Sequence, residues 1–183
     1  YMYSITLTTK ENIILRTLKP KDAETLFDVI QKNDTHLRKW LGWIDDDKSV
    51  ADVEKYIEGS VKRLELQEGI DFSIWENDQI IGGVAVYPLE LAHKKTSLMY
   101  WLTDEAQGKG VMTNAVKIVI DYLFNELKLN RIEISCAVEN TKSSALPKKL
   151  GFTFEGISRQ GNWLYDHFVD LEVYSLLRDE WKK

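Results

Sequence analysis

The stretch 104–116, "DEAQGKGVMTNAV", sets two glycines and a lysine between an aromatic segment and an amphipathic one. From there Met112, Ala115, Val116, Val119, Ile120, Leu123 and Leu127 recur at helical spacing, with Asn114, Lys117, Asp121 and Asn125 on the opposite side. A helix that begins near Val111 leaves its first amides without intrahelical acceptors, and its dipole places partial positive charge there. Gly108 and Gly110 remove Cβ atoms that would keep an anion off the backbone, and Lys109 adds charge. Two familiar phosphate loops do not fit. The P-loop needs G-x-x-x-x-G-K-[ST], and the residue after Gly108-Lys109 is Gly110. The dinucleotide fingerprint G-x-G-x-x-G needs a glycine where Thr113 stands. On the loop alone, a plain turn and a phosphate cradle are equally good readings.

Around this loop the hydrophobic pattern predicts a mixed α+β chain. "NIILRTL" (12–18) reads as a first strand and 20–33 as a helix, with Pro20 near its start and Ala23, Leu26, Phe27 and Ile30 on one face. "THLRKWLGWID" (35–45) reads as a short aromatic helix ending before Gly42. Ser49 with Asp52 resembles a capping box opening a longer helix through Val53, Ile57, Val61 and Leu64. Residues 71–90 hold two strands hinged at Glu76-Asn77-Asp78, and 95–103 makes the next strand, fourth in this count. "NRIEISCAVEN" (130–140) is the fifth strand. "TKSSALPKKL" (141–150) is a short helix that Pro147 interrupts or bends. "GFTFEGIS" and "DHFVDLEVYSLL" close with two more strands. The result is one domain over 1–183, a mostly antiparallel central sheet with helices on both faces.

A net charge of −5 argues against a general affinity for nucleic acid, and is too small to argue for a basic substrate. No apolar run approaches the roughly 20 residues that span a bilayer, and 1–12 lacks the blocks of a signal peptide. A cytoplasmic protein with no membrane contact is expected. The only cysteine, Cys136, alternates with Ile132, Ile134 and Val138, which suits a small buried residue better than a nucleophile. No metal-ligand spacing occurs.

The segments "MYWLTDEAQGKGVMTNAV" and "ENTKSSALPKKLGF" together resemble the GNAT (Gcn5-related N-acetyltransferase) superfamily, and more narrowly its RimJ/RimL-like ribosomal-protein N-terminal acetyltransferase branch. The family loop [QR]-x-x-G-x-[GA] is matched by Gln107, Gly110 and, with a departure typical of the branch, Met112. The second block, N-x-x-S followed by Leu-Gly-Phe, is matched by Asn140, Ser143, Leu150, Gly151 and Phe152. "HLRKWLGW" and "WLYDHFVDLEVYSLL" are also similar to the branch, so the resemblance covers nearly the whole chain.

The resemblance implies a GNAT-like fold in which the fourth strand bulges around Tyr100–Thr103 and splays from the fifth, opening a cleft for acetyl-CoA. Pantetheine would pair with the backbone of Leu102 and Thr103. The pyrophosphate would rest on the amides of Gln107, Gly108, Lys109, Gly110, Val111, Met112 and Thr113. Asn140 and Ser143 would contact the pantetheine arm and thiol. The acetyl group would pass to a primary amine, above all a protein N-terminal α-amine such as that of a ribosomal protein. A small amine (polyamine, aminoglycoside or amino-acid derivative) and a non-catalytic acyl-CoA-binding role are the alternatives. A homodimer is also implied.

Many superfamily members place a glutamate base where Ser97 stands and a tyrosine acid where Pro147 stands. Ser143, the Leu102 backbone amide as oxyanion donor, and Tyr100 are therefore the catalytic candidates. Ser143 also reads as a helix cap, and Tyr100 as strand packing. Trp40 and Trp43 read either as an aromatic wall against the acceptor or as core anchors, while Asn162 and Trp163 would shape the opposite wall. Asp166 and Asp170 fit either attraction of a cationic amine or plain solvation. His93 reads as an exposed turn residue, and His36 and His167 as surface residues bordering the cleft.

Overall fold

In a computed structural model, residues 4–9, 13–46 and 48–181 are described. They form strands β1 (Thr6–Thr8), β2 (Ile14–Thr17), β3 (Ile70–Glu76), β4 (Gln79–Glu90), β5 (Lys95–Leu102), β6 (Arg131–Ala137), β7 (Thr153–Leu164) and β8 (His167–Leu177). The helices are α1 (Ala23–Lys32), α2 (Asp34–Arg38), α3 (Val50–Glu65), α4 (Val111–Asn125) and α5 (Thr141–Lys149). The eight strands make one sheet in the order β1-β2-β3-β4-β5-β6-β8-β7, antiparallel throughout except for the parallel pair β5–β6.

Alternation along the strands divides the core into two layers. On β3, Ile70, Phe72 and Ile74 face α4 and α5, whose Val116, Val119, Ile120, Leu123 and Leu146 complete one cluster. Ile80 and Trp75 face the other way, towards Leu26, Ile30, Leu37, Val53 and Ile57 of α1, α2 and α3. Helices thus cover both faces, as the pattern predicts. The hinge 76–78 is a two-residue hairpin turn in which Asn77 and Asp78 take positive φ (48° and 61°) and Glu76 pairs with Gln79. At the start of α3 the Ser49 hydroxyl oxygen accepts from the Asp52 N–H, and the hydroxyl donates to the Asp52 carboxylate at 2.7 Å.

The layer of α1, α2 and α3 is fastened by ion pairs on buried carboxylates: Arg63 of α3 reaches Asp71 of β3 at 2.5 Å, and a second pair joins β2 to the start of α1. The Arg16 guanidinium grips both oxygens of buried Asp22 at 2.7 and 2.9 Å, and the Lys19 N–H adds a third bond. Arg16 also lies 4.0 Å from the centre of the Trp75 ring. β2, β3 and the start of α1 therefore meet at the Arg16 guanidinium.

Several expectations need correction. Residues 6–8 form an additional strand against β2, while Asn12, the first residue of the expected strand 12–18, lies outside the described residues. The helix expected to end before Gly42 does so, stopping at Arg38, and Gly42–Asp45 adds a separate 3₁₀ turn. Pro147 does not interrupt α5, which runs on to Lys149. β7 continues to Leu164, beyond the expected end at Ser158, because bulges between Phe154 and Gly156 and between Ser158 and Asn162 break its alternation. The register of β4 on β5 is regular from Gly82↔Leu102 to Val86↔Leu98, so no register shift falls at Tyr100–Thr103. The irregularity lies at Val86/Leu89, at the opposite end of the pair.

Asp22→Ala should lower the free energy of unfolding near neutral pH by about 3 kcal/mol, since it strands a part-buried guanidinium. Burial tends to raise the Asp22 pKa, but Arg16 and the Lys19 amide outweigh it and hold the carboxyl below its ordinary value. A depressed carboxyl stabilises fully above its unfolded pKa of about 3.9 and loses that contribution as pH falls through the folded value. Urea titrations at pH 6 and pH 3 should therefore show the gap between wild type and variant closing at the lower pH.

Candidate active site at the parting of β5 and β6

β5 and β6 pair only over Lys95–Leu98 and Arg131–Ile134. Beyond that, β5 stays on β4 as far as Leu102, while β6 stays on β8 as far as Ala137. The two strands part, and a cleft opens as the resemblance implies. Within a strand, alternate residues direct their N–H and C=O to opposite sides. The Thr103 N–H bonds back to Ile81 on β4 at 2.8 Å, so the backbone groups of Leu102 and Tyr100 face the gap.

α4 begins at the mouth of this gap. Gly108 and Gly110 have φ of 74° and 77°, a region that disfavours side chains, and a Cβ built on either would meet nothing within 4 Å. The first bond into α4 is from Asn114 N–H to Gly110 O, leaving the Val111, Met112 and Thr113 amides without helical acceptors. No side chain caps this end, and its first turn carries no acidic residue. An anion would meet free amides and an unneutralised dipole there.

His36, expected as a surface residue, is half-buried and ties α2 to this mouth. Its Nε2 lies 3.2 Å from the Leu102 carbonyl oxygen and 2.7 Å from Gln107 Nε2, and its Nδ1 lies 3.8 Å from Asp104. Lys142 donates to Gln107 Oε1 at 3.3 Å, so the Gln107 carboxamide bridges α2 and the start of α5. One ring nitrogen cannot donate to Leu102 and accept from Gln107 at once; the His36 tautomer and the Gln107 amide must switch together. Sequence spacing gives no signal for this link, because its partners lie 66 and 71 residues apart.

Across the gap, Asn140 Oδ1 accepts from the Ser143 N–H at 3.2 Å and is the cap of α5, so the cap reading of Ser143 falls away. Ser143 Oγ lies 3.3 Å from Cys136 Sγ and 3.4 Å from Tyr100 Oη. Burial, and then the neighbouring Cys136, push the Tyr100 pKa far above the ordinary phenol value, and burial likewise raises that of the Cys136 thiol. Cys136 is buried, as its alternation predicts.

Among the residues expected to border the acceptor, Trp43 packs edge-on against Trp101 at 6.3 Å and rests half-buried on the cluster of α1, α2 and α3. Trp101 itself went unread in the sequence. Its indole lies over Gly83, where a Cβ would come within 2.7 Å of Nε1, so this glycine of β4 makes room for it. Trp40 is half-buried beside Lys39. Trp163 is 53% exposed and meets Phe168 at 4.7 Å, and Asn162 is exposed one residue before it. The β7–β8 turn reaches the α2 region, where the Tyr165 hydroxyl donates to the Leu41 carbonyl at 2.8 Å. Asp170 Oδ1 accepts from the Gln160 N–H, and Asp166 pairs with exposed His167.

A strand edge left unpaired beside an uncapped glycine-lined helix start is the architecture of an acyl-CoA-dependent transferase. Residues 12–153 match the sequence profile of the Acetyltransferase (GNAT) domain. The chain is 36% identical over 173 residues to the putative ribosomal N-acetyltransferase YdaF of Bacillus subtilis (strain 168), covering 94% of each chain. It is 28% identical over 174 residues to the ribosomal-protein-serine acetyltransferase of Escherichia coli (strain K12), covering 95% of this chain and 97% of that one. The crystal structure of Microcin C7 self immunity acetyltransferase MccE in complex with acetyl-CoA and AMP superposes with a TM-score of 0.86 at 30% identity, over 90% of this chain and 92% of that one. The chain belongs to the GNAT acetyltransferase family. It is an N-acetyltransferase that uses acetyl-CoA as cosubstrate. Among the described residues no helix is long and apolar enough to cross a membrane.

Two substitutions probe the mouth of the cleft. Gly110→Val should weaken CoA binding roughly tenfold by calorimetry and cost about 1–3 kcal/mol of stability through strain at positive φ. His36→Ala, which removes about one hydrogen bond's worth of tethering, should raise the KM for acetyl-CoA roughly fivefold with little change in melting temperature.

Proposed function

We propose that residues 1–183 form a single domain that acetylates the N-terminal α-amine of a ribosomal protein. The observation that carries this is the match, over more than nine-tenths of each chain, to relatives named ribosomal N-acetyltransferase and ribosomal-protein-serine acetyltransferase. The geometry of the cleft supports it. The amides from Gly108 to Thr113 receive the pyrophosphate, with Lys109 adding charge, while the Gln107 N–H is already taken by the Asp104 carbonyl. The cleft-facing backbone at Leu102 and the side chain of Asn140 hold the pantetheine arm; Thr103 drops out of the expected set, because its N–H bonds to Ile81 on β4 and its carbonyl accepts from the Ala106 N–H. Asn140 Oδ1 is committed to the α5 cap, which leaves its amide N–H groups for that contact.

An α-amine has a pKa of about 7.7–8.0, so a useful fraction is neutral near pH 7 without a strong base. The amine attacks the thioester carbonyl, and negative charge grows on its oxygen as the C–N bond forms. The Leu102 N–H, directed into the gap, donates to that oxygen. As the oxyanion collapses and the C–S bond breaks, the Ser143 hydroxyl donates a hydrogen bond to the departing thiolate, which takes up a proton as the ammonium nitrogen of the tetrahedral intermediate loses one to become the amide. Trp40 and Trp43 on one side, and Asn162 and Trp163 on the other, border the acceptor. The net charge of −5 supports a role without direct nucleic-acid binding. A ribosomal acceptor sets the reaction in the cytoplasm, and a homodimer completes the proposal.

The test is release of free CoA thiol with peptides bearing ribosomal-protein N-termini, set against the same peptides blocked at the α-amine and against spermidine. Turnover confined to free α-amines is the expected outcome; a preference for spermidine would overturn the acceptor assignment. Ser143→Ala should lower kcat by about 10²-fold while leaving the KM for acetyl-CoA within about twofold. Loss in KM alone would make Ser143 a binding contact.

A further inference from the structure

Pro147 lies inside α5 and has no N–H to donate to the carbonyl four residues before it, that of Ser143. A carbonyl deprived of its partner in a part-buried setting costs about 1–3 kcal/mol. Here the missing donor comes from another strand: the Tyr100 hydroxyl of β5 donates to the Ser143 carbonyl at 2.8 Å. The bond crosses the gap just where β5 and β6 have parted, since their pairing ends at Leu98 and Ile134. It therefore fixes the first turn of α5 against β5, with Ser143 Oγ held 3.4 Å from Tyr100 Oη and 3.3 Å from Cys136 Sγ.

We propose that Tyr100 is a positioning residue rather than the proton donor, and that Pro147 is its counterpart, vacating the carbonyl through which Tyr100 tethers Ser143 across the cleft. The single hydroxyl proton of Tyr100 is committed to that carbonyl, so only its lone pairs face Ser143 Oγ. The superfamily's tyrosine acid is not moved to Tyr100; the proline that stands in its place makes a different use of a tyrosine. The proposal rests on the assignment of Ser143 to the leaving thiolate.

A double-variant cycle separates the tether from its local effect on the helix. Tyr100→Phe should lower kcat about tenfold with the KM for acetyl-CoA within about twofold, and should lower the melting temperature. Pro147→Ala restores an N–H for the carbonyl, so in the double variant the melting temperature should recover while kcat stays low. Recovery of kcat together with melting temperature would mean that Tyr100 only stabilises the helix, and would overturn the tether. Should Tyr100→Phe alone not fold, the double variant, with its carbonyl paired, carries the kinetic comparison against Pro147→Ala. The kcat–pH profiles of wild type and Tyr100→Phe should share one shape from about pH 7 to pH 10. A break present only in wild type would make Tyr100 the acid. Unchanged kcat in Ser143→Ala would overturn the thiolate assignment, and the tether's role in turnover with it. An effect of Ser143→Ala without one of Tyr100→Phe would overturn the tether alone.

Discussion

Everything at this site follows from the place where two parallel strands stop pairing. β5 follows β4 to Leu102 and β6 follows β8 to Ala137, while their own pairing ends at Leu98 and Ile134. Backbone polar groups left inside a protein demand partners. The parting therefore creates a row of donors and acceptors at Tyr100 and Leu102 that a strand-like ligand can complete. The open start of α4 lies at the end of that row, so the proposed acetyl-CoA site has both a rail and a terminus.

Around the gap, the chain bridges what the sheet has left open. His36 and Gln107 link α2 to the strand end and the loop, Lys142 extends the link to α5, and Tyr100 spans the gap to Ser143. None of these is a core contact, and all are side-chain hydrogen bonds between distant segments. The apolar layers on either face hold the sheet and helices, and this polar lattice sets the width of the cleft.

What could be read beforehand divides along the same line. The glycine loop, the helical stripe behind it, the hairpin at Asn77-Asp78 and the Asn140 block were legible because local spacing encodes them. The long β7 was not, because two bulges erase its alternation and its residues are nearly all exposed. His36 and Trp101 escaped for another reason: each acts through a partner brought near only by the sheet, and a lone histidine or a strand tryptophan has no local signature of that. Pro147 looked like a helix breaker because the donor that compensates for it, Tyr100, lies on another strand.

The bond from Tyr165 to the Leu41 carbonyl joins segments 124 residues apart in the chain. It joins the turn between the last two strands to the segment that carries Trp40 and Trp43, so the two proposed walls of the acceptor cleft are linked directly. Grafting either segment from a relative without the other would leave mismatched halves. On the proposed reading, a new acceptor preference is inherited or exchanged as a pair.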